Sequence, residues 1–288
     1  MNYLLYILIL LEIYVLLAIS TNIKAGFTGL LTFSQAAFYG IGAYACTLCM
    51  LKWNVPFVIS LLAAVSVNLC VSLIVFAFSV RLRNLYFSLA TLAFQIIVYS
   101  IFYNWVSITN GPYGISGISR PSVWFFPLQS LSNFALFGGV ITILIVAVIW
   151  YLQNTPLFRQ LKCVRDNELG LIASGRNPSY YKLTGILISA AISAIAGSLY
   201  AVYFSYIDPS SFTLNESILL LSIVLIGGAG NLIGPITGAI FYVLLPEVLN
   251  FISFPDSMAA NFRMMIYALI LILIIRFKPD GFFGEIKY

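Results

Sequence analysis

Nine apolar runs, at about residues 3–20, 34–51, 56–80, 85–106, 130–152, 183–206, 217–233, 234–250 and 262–277, take up most of this 288-residue chain. Each is close to the roughly 20 residues an α-helix needs to cross a hydrocarbon layer about 30 Å thick. In lipid the backbone must satisfy its own hydrogen bonds, so only helices and closed barrels span. The short alternating strands of an outer-membrane barrel are not visible. The expectation is an all-α polytopic membrane protein of about eight to ten transmembrane helices. Composition agrees: 61% of residues are hydrophobic and 8% charged, against about a quarter charged in soluble domains. The stretch before the first run has no Lys or Arg, which argues against a cleaved signal peptide and makes that run the first span.

The formal charge of +5 comes from a few loop cations, a pattern that fits membrane orientation and not nucleic-acid binding. Basic clusters lie at Arg81/Arg83, between Arg159 and Lys182, and at Arg276/Lys278. Two runs separate the first pair of clusters and four the second, so all three fall on the cytoplasmic side if runs seven and eight are separate spans. The N-terminus is then outside and the C-terminus inside. One span plus a re-entrant piece over residues 217–250 would move the tail outside, against its charge.

Two runs are broken alike. "GFTGLLTFSQAAFYGIGAY" (Gly26 to Tyr44) and "GGAGNLIGPITGAIFY" (Gly227 to Tyr242) each place closely spaced glycines before a helix of small residues. A glycine-rich break at membrane depth survives only in protein contact or beside a watery cavity, and breaks in corresponding halves point to a transport path. Close helix packing is the plainer role for about half of these glycines.

Enzyme chemistry is hard to build here. The chain has no histidine, which removes the commonest general base and metal ligand. Gly114-Ile115-Ser116-Gly117 has the form of an intramembrane serine protease motif, but no His can take the serine proton. In "GGAGNLIG", Gly234 falls one residue late for a dinucleotide fingerprint, and no phosphate-cradling P-loop exists. No catalytic residue, no metal site and no cofactor bound by this chain is expected. Cys46 and Cys49 read as small packing residues, and Cys163 lies on a charged loop. Of the intramembrane acids, Glu12 is central in the first run and Glu247 is near an interface; either could serve substrate. Asn68 and Gln95 read as interhelical hydrogen-bonding residues, and the six lysines as loop or span-end residues.

The segment "RQLKCVRDNELGLIASGRNPSYYK", Arg159 to Lys182, carries seven charged side chains between two apolar runs and is longer than a turn requires. "RDNELGLIASG" can form a short helix with Leu169, Leu171, Ile172 and Ala173 on one apolar side, ended by Gly175 and Pro178. A small apolar side with both charge signs opposite it fits a protein groove better than a lipid surface.

Seven blocks in order then resemble the LivM-type permeases of bacterial ABC importers for branched-chain amino acids. They are "AGFTGLLTFSQAAFYGIGAYA", "LRNLYFSLATLAF", "TNGPYGISGI", "RQLKCVRDNELGLIASGRNP", "LISAAISAIAGSLYA", "SILLLSIVLIGGAGNLIGPITGAIFYVLLPE" and "RFKPDGFFG". The resemblance covers nearly the whole chain. It implies an ABC importer permease fold, with residues 1–288 a single transmembrane permease domain in the bacterial cytoplasmic membrane and residues 153–182 its cytoplasmic coupling loop. The implied partners are a second, related permease, two cytoplasmic ABC ATPases that hold ATP-Mg, and an extracytoplasmic substrate-binding protein.

The same resemblance places Arg165, Asp166, Asn167, Glu168, Leu171 and Gly175 at coupling positions. It puts Gly29, Ser34, Gln35, Ala37, Gly40 and Gly42 beside the translocation path, answered by Gly227, Gly228, Gly230, Asn231, Gly234 and Gly238 from the second break. Two departures stand out. Gly170-Leu171 replaces the family's frequent Ala-Ala, and glycine lowers helix propensity by about 1 kcal/mol. Ser34-Gln35 stands where Gly-His is common. A urea permease branch shares similar blocks, so amino acid and urea both remain as substrates. The rival outside this class is a secondary transporter complete in one chain.

Overall fold

The computed structural model describes residues 2–79, 82, 84–123, 126–250, 265–266, 269, 272, 276 and 281–284. Helix α1 (Asn2–Asn22) continues as a single π-turn, Ile23–Phe27. There follow α2 (Gln35–Lys52), α3 (Phe57–Ser79), α4 (Asn84–Asn104), the short α5 (Val106–Thr109) and α6 (Leu131–Gln153). The charged segment folds as α7 (Pro156–Asp166) and α8 (Glu168–Ala173). The rest is α9 (Pro178–Phe204), α10 (Leu214–Gly227) and α11 (Ile233–Asn250). Among the described residues, strand is confined to two-residue pieces such as Ile115–Ser116, which pairs antiparallel with Tyr206–Ile207.

Among the described residues, five helical stretches are long and apolar enough to cross a membrane: Tyr3–Phe27, Phe57–Phe78, Leu85–Asn104, Leu131–Gln153 and Pro178–Phe204. With the shorter apolar helices around them they make the expected all-α polytopic membrane fold. Eight of the nine apolar runs emerge as helices near the expected bounds. The ninth, 262–277, and the Arg81/Arg83 cluster lie largely outside the described residues. The seventh and eighth runs divide earlier than their apolarity indicates, because the glycine turn falls at 228–232; they form separate helices packed as an antiparallel hairpin.

Small residues set the closest approaches. A Cβ on Gly42 would lie 2.5 Å from Ala194 Cα, and one on Gly197 would lie 2.2 Å from the Tyr39 carbonyl oxygen, so α2 and α9 touch backbone to backbone. Helix α1 is clasped by α6, α9, α10 and α11. Buried amides tie the layers together. Asn68 Nδ2 on α3 donates to the Phe38 and Ala190 carbonyls at 2.7 and 3.2 Å. Gln95 on α4 accepts from Ala37 N at 2.6 Å and Ser217 Oγ at 3.2 Å, and donates to the Phe212 carbonyl at 2.8 Å. Both residues thus make the interhelical bonds their polarity calls for.

Helix α10 has 14 residues, about 21 Å at 1.5 Å per residue, less than the ~30 Å of a hydrocarbon core. It begins inside the bundle: Ser217, in its first turn, accepts from Ala36 N at the start of α2 (2.9 Å). The chain reaches that depth from the end of α9 through a 3-10 turn at Pro209–Phe212, whose Phe212 ring packs against Tyr39 and Tyr44.

Candidate functional site

The two glycine-rich breaks and the charged segment come together at one end of the bundle. Beyond the π-turn that closes α1, Thr28 bonds the Lys24 carbonyl through its hydroxyl (2.5 Å) and the Ile23 carbonyl through its amide (3.2 Å). The following backbone leans on α4, where Phe33 N donates to Thr91 Oγ1 at 3.2 Å and Ser88 Oγ to the Leu31 carbonyl at 2.8 Å. The break thus has side chains in place of the helical bonds it lacks, as a dry interior demands.

The second break is the turn from α10 to α11. Gly228 and Gly230 have φ of +104° and +95°, backbone that L side chains rarely adopt. Asn231 Oδ1 accepts from Gly234 N at 2.7 Å. The tail residues Phe282 and Phe283 donate through their amides to the Ile226 and Gly227 carbonyls at 3.0 and 2.9 Å, and the Asn231 amide donates to the Phe283 carbonyl.

Asn22 joins the breaks. Its Nδ2 donates to the Asn231 carbonyl at 2.6 Å, and its Oδ1 accepts from Gly230 N at 3.1 Å. Arg165, at the end of α7, joins the charged segment to the same place. Asp166 grips two nitrogens of its guanidinium, Nε at 2.7 Å and Nη2 at 3.2 Å, and Nη1 donates to the Gly26 carbonyl at 2.7 Å. The Arg165 stem lies over Gly29, where a Cβ would come within 2.8 Å of its Cγ.

Helix α8 is capped by Asn167, which accepts from Gly170 N at 2.9 Å, and is followed by left-handed Gly175 at φ +77°. Glu168 is bound to Lys182 Nζ at 2.7 Å, fixing α8 to the start of α9. The expected single helix is in fact two, because Asn167 leaves helical geometry and caps the second. The expected apolar side is also split: Leu171 turns inward at 5% exposure, while Leu169 and Ile172 point outward at 78% and 53%. A cavity of about 490 Å³ opens between α7 and α8, lined by Gln160, Cys163, Asn167, Gly170 and Arg176.

The remaining residues assigned to the path are spread out. Ser34 and Gln35 are buried at the start of α2; the Gln35 amide donates to Ser193 Oγ at 2.6 Å and to Ser20 Oγ. Gly40 faces Phe102 and Phe212, Gly42 faces Ala194, and Gly234 abuts the Gly228 carbonyl. A cavity of about 310 Å³ lies nearby, lined by Gln95, Tyr99, Thr213 and Asn215. Of the acids, Glu12 is buried against α6, where Gly138 and Gly139 leave room for its carboxylate. Glu247 is bonded by Tyr3.

Three features escape a sequence reading. Asn22 and Gly26 carry no signal beyond a polar residue at the end of an apolar run and one glycine among many. Lys24 does fall at a span end, yet it is buried instead of solvent-facing: 1% exposed, with its ammonium 4.8 Å from the centre of the Phe38 ring and no hydrogen-bond partner among the described residues.

A bundle of membrane-crossing helices with two internal breaks, bearing a compact charged helical pair at one end, has the architecture of a polytopic membrane permease. The chain belongs to the family described as "Branched-chain amino acid transport system / permease component", which matches residues 3–275. It is 28% identical over 292 residues to the high-affinity branched-chain amino acid transport system permease protein LivM of Salmonella typhimurium, covering 93% of this chain and 67% of that one. It is 28% identical over 217 residues to the probable LivM of Methanocaldococcus jannaschii, covering 72% and 62%. Similarity to the ribose import permease protein RbsC of Haemophilus influenzae is 26% over 150 residues, half of this chain and 45% of that one. No solved structure matches the chain. The relatives are transport components.

Proposed function

We propose that this chain is the permease subunit of an ABC importer for branched-chain amino acids, driven by ATP hydrolysis on partner subunits, with residues 153–182 as the coupling element. In this reading a second permease completes the translocation path, two ATPases dock on α7 and α8, and an extracytoplasmic binding protein delivers substrate. The membrane is the bacterial cytoplasmic one, with the 153–182 loop and the C-terminus inside. The observation that carries the reading is α8, a six-residue helix that turns Leu169 and Ile172 outward although Leu171 packs inward. So short a helix is not stable by its own propensity; Asn167, Glu168 and Lys182 hold it in place. Two exposed aliphatic side chains on a rigid, charged knob suit a groove on a soluble partner.

Support for sidedness comes from charge. Arg159, Lys162, Arg165, Arg176 and Lys182 gather at the end of the bundle where tail residues 281–284 meet the second break, as the positive-inside tendency requires of a cytoplasmic face. The substrate assignment rests on the family and on the two LivM relatives, while the ribose permease similarity makes substrate the quantity to measure. Tagged chain, gently solubilised with its neighbours, is expected to co-purify with a second permease and nucleotide-binding subunits. In proteoliposomes that assembly is expected to take up leucine, isoleucine or valine in preference to urea or ribose. Leu169→Asp combined with Ile172→Asp is expected to abolish recovery of the nucleotide-binding subunits. Recovery of the chain with copies of itself alone, and uptake driven by an ion gradient, would refute the reading.

A further inference from the structure

We infer that Asn22 and Arg165 are positioning residues that lock the α7–α8 segment and the two helix breaks into one unit, so that displacement of the segment is transmitted to both breaks together. The inference rests on the function proposed above for what moves the segment; the lock itself stands on geometry.

Gly26 is the meeting point. Its carbonyl accepts the Arg165 Nη1 bond at 2.7 Å, and its α-carbon packs against Asn22 and the second break. A Cβ there would lie 2.1 Å from Asn22 Oδ1 and 2.6 Å from Gly230 N. Asn22 uses both ends of its amide on that break, toward Gly230 N and the Asn231 carbonyl. A contiguous path therefore runs from Asp166 through the Arg165 fork to Gly26 by hydrogen bonds, across the tight packing of Gly26 on Asn22 and Gly230, and from Asn22 to Gly230 and Asn231 by hydrogen bonds again. Asn231 extends it to Gly234 N at the start of α11 and to the Phe283 carbonyl of the tail.

Two features make this a coupling device and more than local glue. First, each break lacks a run of helical hydrogen bonds, so these are the places where the bundle bends most readily. Second, besides bonds from α4 and the tail, the first break takes one bond from Arg165 of the charged segment and the second takes two from Asn22, so neither can change conformation alone without leaving polar groups unpaired. Arg165 also has the chemistry for the task. Asp166 holds Nε and Nη2, which aims Nη1 at a fixed carbonyl; a lysine keeps the charge without the planar fork.

The test is a double-mutant cycle on Asn22→Leu, close in size and without hydrogen-bonding groups, and Arg165→Lys. On the isolated chain, unfolding in mixed micelles is expected to show each variant destabilised and the pair less destabilised than the sum of the two, because losing either residue already loosens the joint between Gly26 and the second break that the other helps to hold. Strictly additive effects would overturn the lock. This readout needs no partner subunit, so its failure is distinct from failure of the importer reading. In the assembled transporter, Asn22→Leu and Gly26→Ala are expected to retain the nucleotide-binding subunits and basal ATP hydrolysis within about twofold. Uptake of radiolabelled leucine is expected to fall at least tenfold, with no further loss in the double variant. Leucine uptake within twofold of the native level in Asn22→Leu and Gly26→Ala would overturn the inference, as would loss of ATPase recovery in step with uptake, which marks a purely structural role.

Discussion

Replacing Gly197 by alanine tests the backbone contact on which α2 and α9 depend. The new Cβ would stand 2.2 Å from the Tyr39 carbonyl oxygen and 2.8 Å from Ala43 N. Both are backbone atoms inside a helix, so relief can come only from moving one helix off the other. An ordinary carbon contact lies at about 3.5 Å, so the pair must part by about 1 Å. A gap of that size forfeits a quarter to a half of each contact's attraction along the interface, and overpacking of this kind costs typically 1–3 kcal/mol. Alanine regains about 1 kcal/mol through its helix propensity. Backbone cannot give way as a side chain can, which puts the steric cost at the upper end and the net destabilisation at about 2 kcal/mol. Reversible unfolding in mixed micelles by sodium dodecyl sulfate measures it. Gly139→Ala on α6 is the contrast, since its Cβ would meet only the end of the Glu12 side chain at 3.2 Å and is expected to cost nothing. A Gly197→Ala protein as stable as the native one would refute the argument that this interface is limited by backbone contact.

Two further substitutions probe buried polar groups with the same assay. Lys24→Met keeps the volume and removes a buried ammonium; insertion scales set lysine burial at about 2.5–3.5 kcal/mol for a span centre, an upper limit for Lys24 near the end of Tyr3–Phe27, and a desolvated ring contact returns about 2. A stabilisation of at most about 1 kcal/mol is expected, and a loss would show that the ammonium is better satisfied than its contact with Phe38 allows. Gln95→Leu leaves Ala37 N, the Phe212 carbonyl and Ser217 Oγ without this partner. At about 1–3 kcal/mol for each buried group left unpaired, the change should cost at least about 2 kcal/mol, and near-neutral behaviour would place water in that junction.

The helices were legible because their signal is local. Runs of about 20 apolar residues name their own bounds, and α1, α3, α4, α6 and α9 fall within a few residues of the expected ones. The division of α10 from α11 was less exact, since Leu232 and Ile233 continue the apolar run through a turn that Gly228 and Gly230 dictate. Around the charged segment, composition marked a polar helical element between two apolar runs and the residues that build it. It did not show that Asn167 would end one helix and cap the next, because an asparagine can do either and the backbone geometry decides. Leu169, Leu171 and Ile172 were grouped on one side by spacing, whereas contact with the bundle selects Leu171 alone. The Asn22–Gly230 and Arg165–Gly26 bonds were beyond reach, for they join positions 208 and 139 residues apart.

That long-range layer is where the fold acquires a single arrangement. In lipid, one apolar helix face is nearly as good a neighbour as another, because hydrocarbon outside the bundle resembles leucine inside it. Packing of Gly42 on Ala194 and of Gly197 on Tyr39 brings α2 and α9 close, yet small-residue contacts recur along both helices and tolerate several registers. The amides do not. Asn68 must face two carbonyls on two different helices, Gln95 must meet α2, α10 and the Phe212 turn at once, and Gln35 must reach both Ser20 and Ser193. Any slip leaves several buried groups unpaired together, at a cost no sliding apolar contact returns. The breaks belong to the same scheme: they open backbone groups that only particular side chains elsewhere in the bundle can satisfy. A helix that is interrupted therefore specifies its neighbours more strictly than one that is whole.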